Sequence, residues 1–243
     1  MQMVYLKKMF IYFLGAIGSA GFTFLILPIV TMYLSPEEYG KTSMFYIMQS
    51  FFICIIFLGL DQAFSREFYE NKNKKELFST AIWGSVCFTT LVFIIIYFFF
   101  FNQLSFLLFE SIECKQLTFL FSISLFFCIW ERFGLLYLRM DNQVNLFAGF
   151  SVLMKALIFF FTLFLLNFST KATFELVVLG HLLGQILGVV CLMIWLIGKY
   201  SLVLLFVNFK LLKRLLKFGL PVVFGTVIYC FILNIDKILL KNL

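Results

Sequence analysis

Lys155 stands near the centre of an apolar run from Val144 to Asn167, flanked by Met154 and Ala156, with no acidic residue beside it. An ionisable side chain at mid-membrane depth costs about 2.5 to 3.5 kcal/mol on insertion scales, so it is kept for a purpose or paired. A central lysine reaches neither interface easily, so a polar cavity or an anionic ligand is favoured for Lys155 over a structural salt bridge. Glu131 and Arg132 fall toward one end of another apolar run, where a cavity role and simple snorkelling to the interface both fit. Asp236 and Lys237, with Asn234 just before them, form a polar cluster that suits either an outer cavity mouth or interfacial anchoring. His181 is the sole histidine, too few for a metal site, and a hydrogen-bonding role is favoured for it over proton coupling.

Other chemistry lacks its residues. The chain has no HExxH, no GxSxG, no carboxylate pair on an exposed loop and no acidic cluster suited to a divalent cation, so an enzyme, a cofactor and a metal are not expected. Six cysteines (Cys54, Cys87, Cys114, Cys128, Cys191 and Cys230) include no CxxC pair, and five lie inside apolar runs. They read as small core hydrophobes rather than metal ligands or disulfides. Gly180, Gly184 and Gly188 form a doubled GxxxG ladder on one helix face, a device for close helix packing and not a phosphate cradle, since no GK[ST] follows. Pro28 and Pro221 each remove a backbone donor and are candidate hinges.

The elements that must position these residues follow from composition. Of 243 residues, 63% are hydrophobic and 13% charged, and the mean hydropathy is +1.05. Soluble domains carry about 25% charged residues, so lipid must cover most of this surface. The net charge of +7 is spread through short gaps between apolar runs, without the basic, aromatic-interleaved face that nucleic acid requires. A bilayer core about 30 Å thick needs about 20 apolar residues per helix, and seven runs qualify: 9–33, 42–60, 77–101, 116–137, 144–167, 176–197 and 218–240. The expected fold is therefore all-α, a polytopic transmembrane bundle of about seven helices. The first run is 25 residues without a charge, too long for a signal-peptide core, and reads as a retained signal anchor.

Lys and Arg are held in the cytoplasm during insertion. Lys7, Lys8, Arg66, Lys72, Lys74, Lys75, Arg132, Arg139, Lys199, Lys210, Lys213, Arg214 and Lys217 fall on one side, against Lys41, Lys115 and Lys171 on the other. That places the N-terminus in the cytoplasm and the C-terminus outside. Ser35-Pro36-Glu37-Glu38 supplies an N-cap, a proline at the first helical position and acids in the first turn, predicting a tight re-entry. In Val207 to Lys217 the leucines and the basic residues fall on opposite faces, predicting an amphipathic helix on the cytoplasmic surface, with a solvated connector as the alternative.

At this point the residues resemble a known family, the polysaccharide or O-antigen flippases of the multidrug, oligosaccharidyl-lipid and polysaccharide exporter superfamily. Lys7 to Tyr33, with small residues from Gly15 to Gly21 and Pro28, resembles that family's first helix and runs into Leu34-Ser35-Pro36-Glu37-Glu38-Tyr39-Gly40. Leu58-Gly59-Leu60-Asp61, followed by Ser65-Arg66-Glu67-Phe68-Tyr69-Glu70, resembles its first cytoplasmic loop, in which Asp61 and Arg66 are the motif residues. Leu215 to Pro221 and Asn234-Ile235-Asp236-Lys237 resemble the start and end of its seventh helix. Each motif is weak alone, and their order and spacing carry the resemblance.

The resemblance implies a transporter and not an enzyme: a flippase carrying a polyprenyl-diphosphate-linked oligosaccharide, as in O-antigen and lipopolysaccharide assembly, through a cationic cavity in a bacterial cytoplasmic membrane. Lys155 suits that cavity by charge, with Glu131, Arg132 and Asp236 as further lining candidates. Implied partners are the lipid-linked oligosaccharide, membrane lipids and other polysaccharide-assembly membrane proteins, with no nucleic acid. Proton or sodium coupling is left open. The expected organisation is a six-helix lobe over 1–200, an amphipathic linker helix over 201–217 and a seventh helix over 218–243 that opens a second lobe. A family member needs about twice this many helices, so the chain reads as one lobe plus one helix, unable to flip substrate alone. The alternatives are a drug or small-molecule cation antiporter of the same superfamily, a polymerase or glycosyltransferase, and a non-transporting assembly subunit. The first needs intramembrane carboxylates, for which Glu131 is the candidate. The second needs a large loop or domain that these 243 residues lack.

Overall fold

The computed structural model describes residues 2–99, 103, 115–169, 171–200 and 207–240, and their side chains except at 2, 4, 5, 115, 116 and 233–240. Among the described residues there are eight helices and no strand. They are α1 (Gln2–Tyr33), α2 (Pro36–Ile56), α3 (Leu60–Glu67), α4 (Lys74–Phe99), α5 (Lys115–Met140), α6 (Val144–Phe168), α7 (Phe174–Tyr200) and α8 (Phe209–Leu240). Six are long and apolar enough to cross a membrane, and the α2–α3 pair, bent by 51°, adds a seventh if counted as one span. The protein is thus an all-α, multi-pass membrane bundle.

Local chemistry sets the helix starts. The Glu38 N–H donates to Ser35 Oγ at 3.4 Å, and Pro36 opens α2. At α4, Asn73 Oδ1 accepts the Glu76 N–H while Asn73 Nδ2 donates to Glu76 Oε2, a reciprocal cap. Asn208 Oδ1 accepts the Lys210 and Leu211 N–H groups and starts α8.

Two boundaries differ from the sequence reading. The second apolar run continues to Leu60, but α2 stops at Ile56. Leu58 (φ 49) and Gly59 (φ 64) both take the left-handed conformation there, which an apolar count cannot register. The Gly-Leu-Asp segment expected as a loop is the helix α3, which buries Leu60, Asp61, Ala63, Phe64 and Glu67. The basic segment is likewise no separate linker helix. It forms the first turns of α8, which continues through Pro221. Its two faces are as expected: Leu211 and Leu215 are buried and Lys210, Lys213, Arg214 and Lys217 exposed. The leucines, however, pack on protein, with Leu212 Cδ1 only 2.6 Å from where a Cβ on Gly84 of α4 would sit.

The helices form two compact units, each discontinuous in sequence. The first comprises residues 1–43 and 114–201, the second 44–113 and 202–243.

In the first unit α6 packs against α1 and α7 through small residues. A Cβ on Gly15 or Gly18 of α1 would collide with Ala148 or Val152 of α6. Along α7, a Cβ on Gly180, Gly184 or Gly188 would strike Thr162, Ile158 or Met154 of α6. At one end Glu38 Oε2 accepts the Phe174 N–H at 2.7 Å, capping α7 with a carboxylate from α2. Beside that cap, Val30, Leu34, Leu166 and Val177 make an apolar cluster.

In the second unit α3 and α8 touch backbone to backbone, because a Cβ on Gly59 would lie 2.4 Å from the Gly219 oxygen. Phe64, Phe68 and Phe78 fill the space between α3 and α4. Cys54 of α2 and Cys230 of α8 are joined in a disulfide, which corrects their assignment as inert core thiols. The pairing is fixed by helix packing across 176 residues of sequence and has no local signature. Cys87, Cys128 and Cys191 are in no disulfide, and Cys114 lies outside the described residues.

Candidate substrate cavity

The polar residues of the first unit converge at mid-helix. The glycine ladder of α7 brings that helix onto α6 at Ile158, and Gly15 and Gly18 bring α1 onto α6 at Ala148 and Val152. Lys155 lies between these two contacts. Its ammonium is 3.8 Å from Glu131 Oε1 of α5. Glu131 Oε2 in turn accepts a hydrogen bond from Gln185 Nε2 of α7 at 3.3 Å, and Gln185 Nε2 is also 3.0 Å from Cys128 Sγ. One turn earlier on α7, His181 is buried.

Lys155 is not consumed by this network. Its side chain is 39% exposed while that of Glu131 is 17% exposed. It also lines an open cavity of about 440 Å³ with Ser19, Ala20, Thr23, Phe24 and Leu27 of α1. That volume lies within the usual range of small-molecule sites, about 300–1,000 Å³. The Ser19 and Thr23 hydroxyls donate to the backbone oxygens of Ala16 and Ser19, leaving their oxygens as acceptors toward the space. Lys155 thus has a loose ion pair with Glu131 on one side and an open, mostly apolar cavity with two hydroxyls on the other. At 3.8 Å the pair is longer than a charge-assisted hydrogen bond of about 2.7–2.9 Å, so the ammonium keeps donor capacity for a further anion.

The other candidates separate. Arg132, next to Glu131 but about 100° around the helix, is exposed, which leaves Glu131 as the member of that pair in the Lys155 network. Asp236 and Lys237 sit on α8, with side chains outside the described residues. Asp61 and Arg66 belong to the second unit. Asp61 is buried at the start of α3 with its backbone oxygen accepting the Ser65 hydroxyl, and the Arg66 guanidinium lies 4.7 Å from the Phe218 ring centroid. Glu67, which no motif pointed to, pairs with Arg214 at 2.6 Å. The two stretches matched in sequence as a loop and a helix start are thus one docking surface between α3 and α8. Pro28 and Pro221 lie within unbroken helices. Gln185 is the site residue that sequence reasoning missed. Its one signal was a polar amide beside Gly184 in an otherwise apolar span. Among the described residues no group of three or more His, Cys, Asp or Glu is placed to hold a metal.

A family model described as polysaccharide biosynthesis protein matches residues 5–243. Two solved structures share the fold. One is a MATE protein crystallised in complex with MaD3S, with a TM-score of 0.65 at 16% identity, covering 90% of this chain and 52% of that one. The other is a proline-to-alanine mutant of MATE, with a TM-score of 0.64 at 15% identity, covering 91% of this chain and 53% of that one. The chain therefore spans about half the length of the solved proteins it matches. No curated protein matches it in sequence.

Proposed function

The chain belongs to the polysaccharide biosynthesis protein family, and from that premise we propose that it is part of a transporter moving a polyprenyl-diphosphate-linked oligosaccharide across a bacterial cytoplasmic membrane, with Lys155 holding the diphosphate. The carrying observation is the half-exposed Lys155 ammonium facing a 440 Å³ cavity on α1. In this reading the N-terminus is cytoplasmic and the unit of residues 1–43 and 114–201 carries the wall of the path that holds Lys155. A point-charge ammonium with spare donors suits a phosphoryl oxygen, and a site at mid-depth suits alternating access. The Ser19 and Thr23 hydroxyls sit where a sugar hydroxyl could replace water.

Cation antiport is the weaker reading. A sodium ion at Glu131 would sit within a few ångströms of the Lys155 ammonium, and the two like charges repel.

The test is equilibrium binding by purified protein of a polyprenyl diphosphate, its monophosphate and a neutral lipid of equal chain length. The expected order is diphosphate tightest, by at least about fivefold over the monophosphate, with the Lys155→Met variant losing that preference. Equal binding of all three lipids would remove the reading.

A further inference from the structure

We propose a second anion site, distinct from the Lys155 cavity: an open notch at the opposite end of α1 that binds the phosphoryl group of an anionic lipid headgroup. The notch, about 240 Å³, is lined by Lys7, Lys8 and Ile11 of α1, by Asn142 and Gln143 of the α5–α6 turn, and by Asn145 in the first turn of α6. Two lysines and two asparagines line the same space with Gln143, whose side chain also bonds Tyr200 of α7, and no carboxylate lies in the lining. Among the described residues neither lysine has an acid within salt-bridge distance. The acid nearest in sequence, Asp141, accepts the Tyr200 hydroxyl at 2.7 Å and is turned to α7.

The turn itself is fixed. Asn142 holds a left-handed conformation, φ 58, which asparagine tolerates well. The Asn142 and Gln143 N–H groups donate to Arg139 and Leu138 oxygens, so backbone bonds fix the turn at the rim of the notch. Depth selects the ligand. The apolar run of α1 begins at Met9 and that of α6 at Val144, so the notch lies at the boundary between apolar span and water, where headgroup phosphates reside. Topogenic charge explains two lysines. It does not explain a concave site in which Asn142 and Asn145 join them. The positive end of the α6 dipole adds in the same direction.

The experiment is native mass spectrometry of the purified full chain with phosphatidylglycerol, with phosphatidylcholine and inorganic phosphate as comparison ligands. Lys7→Gln/Lys8→Gln is expected to weaken phosphatidylglycerol binding at least about tenfold, since each basic contact near a membrane surface is worth about fivefold. Because that variant also removes topogenic charge, Asn145→Asp is the second probe. It places a carboxylate in the notch while an acid in a first helical turn stabilises the helix, and a loss of about threefold or more is expected. Lys72→Gln/Lys75→Gln removes the same charge from exposed positions elsewhere and is expected to stay within twofold of the native chain. Displacement of the lipid by inorganic phosphate assigns the notch to a free phosphoryl group, and retention assigns it to the headgroup. Both support the site. It is overturned if Lys72→Gln/Lys75→Gln weakens binding as much as Lys7→Gln/Lys8→Gln, if Asn145→Asp binds like the native chain, or if phosphatidylcholine binds as tightly as phosphatidylglycerol. Failure here leaves the Lys155 reading untouched, because that rests on diphosphate preference and a different cavity.

Discussion

The Glu131 carboxylate on α5 lies 3.8 Å from the Lys155 ammonium on α6, with Gln185 of α7 bonded to the other carboxylate oxygen. Three consecutive helices thus share one polar contact inside an apolar bundle. A double-mutant cycle on Lys155→Met and Glu131→Leu in unfolding of the detergent-solubilised protein should give a coupling of about 0.5 to 1.5 kcal/mol, the range found for polar pairs within membranes. Each single variant leaves one charge uncompensated, so the double variant should be more stable than the sum of the singles implies. Strict additivity would mean the pair is not made.

Gly184 should tolerate no side chain. A Cβ there would sit 2.5 Å from both the backbone nitrogen and Cα of Ile158, atoms that cannot move aside without displacing α6. Gly184→Ala is expected to cost about 1 to 3 kcal/mol. Gly149→Ala on α6 meets nothing within 4 Å and should be neutral or slightly stabilising. Thermal unfolding of the two variants separates a packing effect from a general loss of glycine.

Gly59 combines two constraints, a left-handed backbone and contact with the Gly219 carbonyl oxygen. Gly59→Ala should therefore destabilise by about 2 to 4 kcal/mol, more than Gly40→Ala, which adds a Cβ in open space. Similar unfolding midpoints for the two would refute the backbone contact between α3 and α8.

Glu67 is 11% exposed at its side chain and is held by Arg214, itself 59% exposed. Arg214→Ala leaves a nearly buried carboxylate without that partner and should cost about 1 to 2 kcal/mol. Adding Glu67→Gln should recover part of the loss. Proteolysis at the α2–α3 bend gives a local readout, with faster cleavage expected in the single variant.

Much of the fold was legible because a lipid-covered helix must announce itself in about 20 apolar residues. All seven runs coincide with helices, apart from the turn at 57–59 and from Phe100 and Phe101, which lie outside the described residues. The bend at Leu58–Gly59 was hidden inside an apolar stretch, since hydropathy carries no information on the sign of φ. The continuity of α8 was hidden because its change from amphipathic to apolar resembles a boundary, although Phe209 to Leu220 contains no helix breaker apart from the packed Gly219. The α7 glycine ladder was legible and its partner helix was not. Pairings such as Glu131 with Lys155, Glu67 with Arg214 and Cys54 with Cys230 depend on which helices become neighbours, and no local pattern encodes that.

The most direct measurement of the central claim is polysaccharide export in a flippase-deficient strain carrying the native reading frame with Lys155 replaced, normalised to protein in the membrane. Lys155→Ala is expected to reduce export to about a tenth or less, and Lys155→Arg to retain a substantial part of it by keeping the positive charge. Export by Lys155→Ala at the level of the native protein would contradict the account.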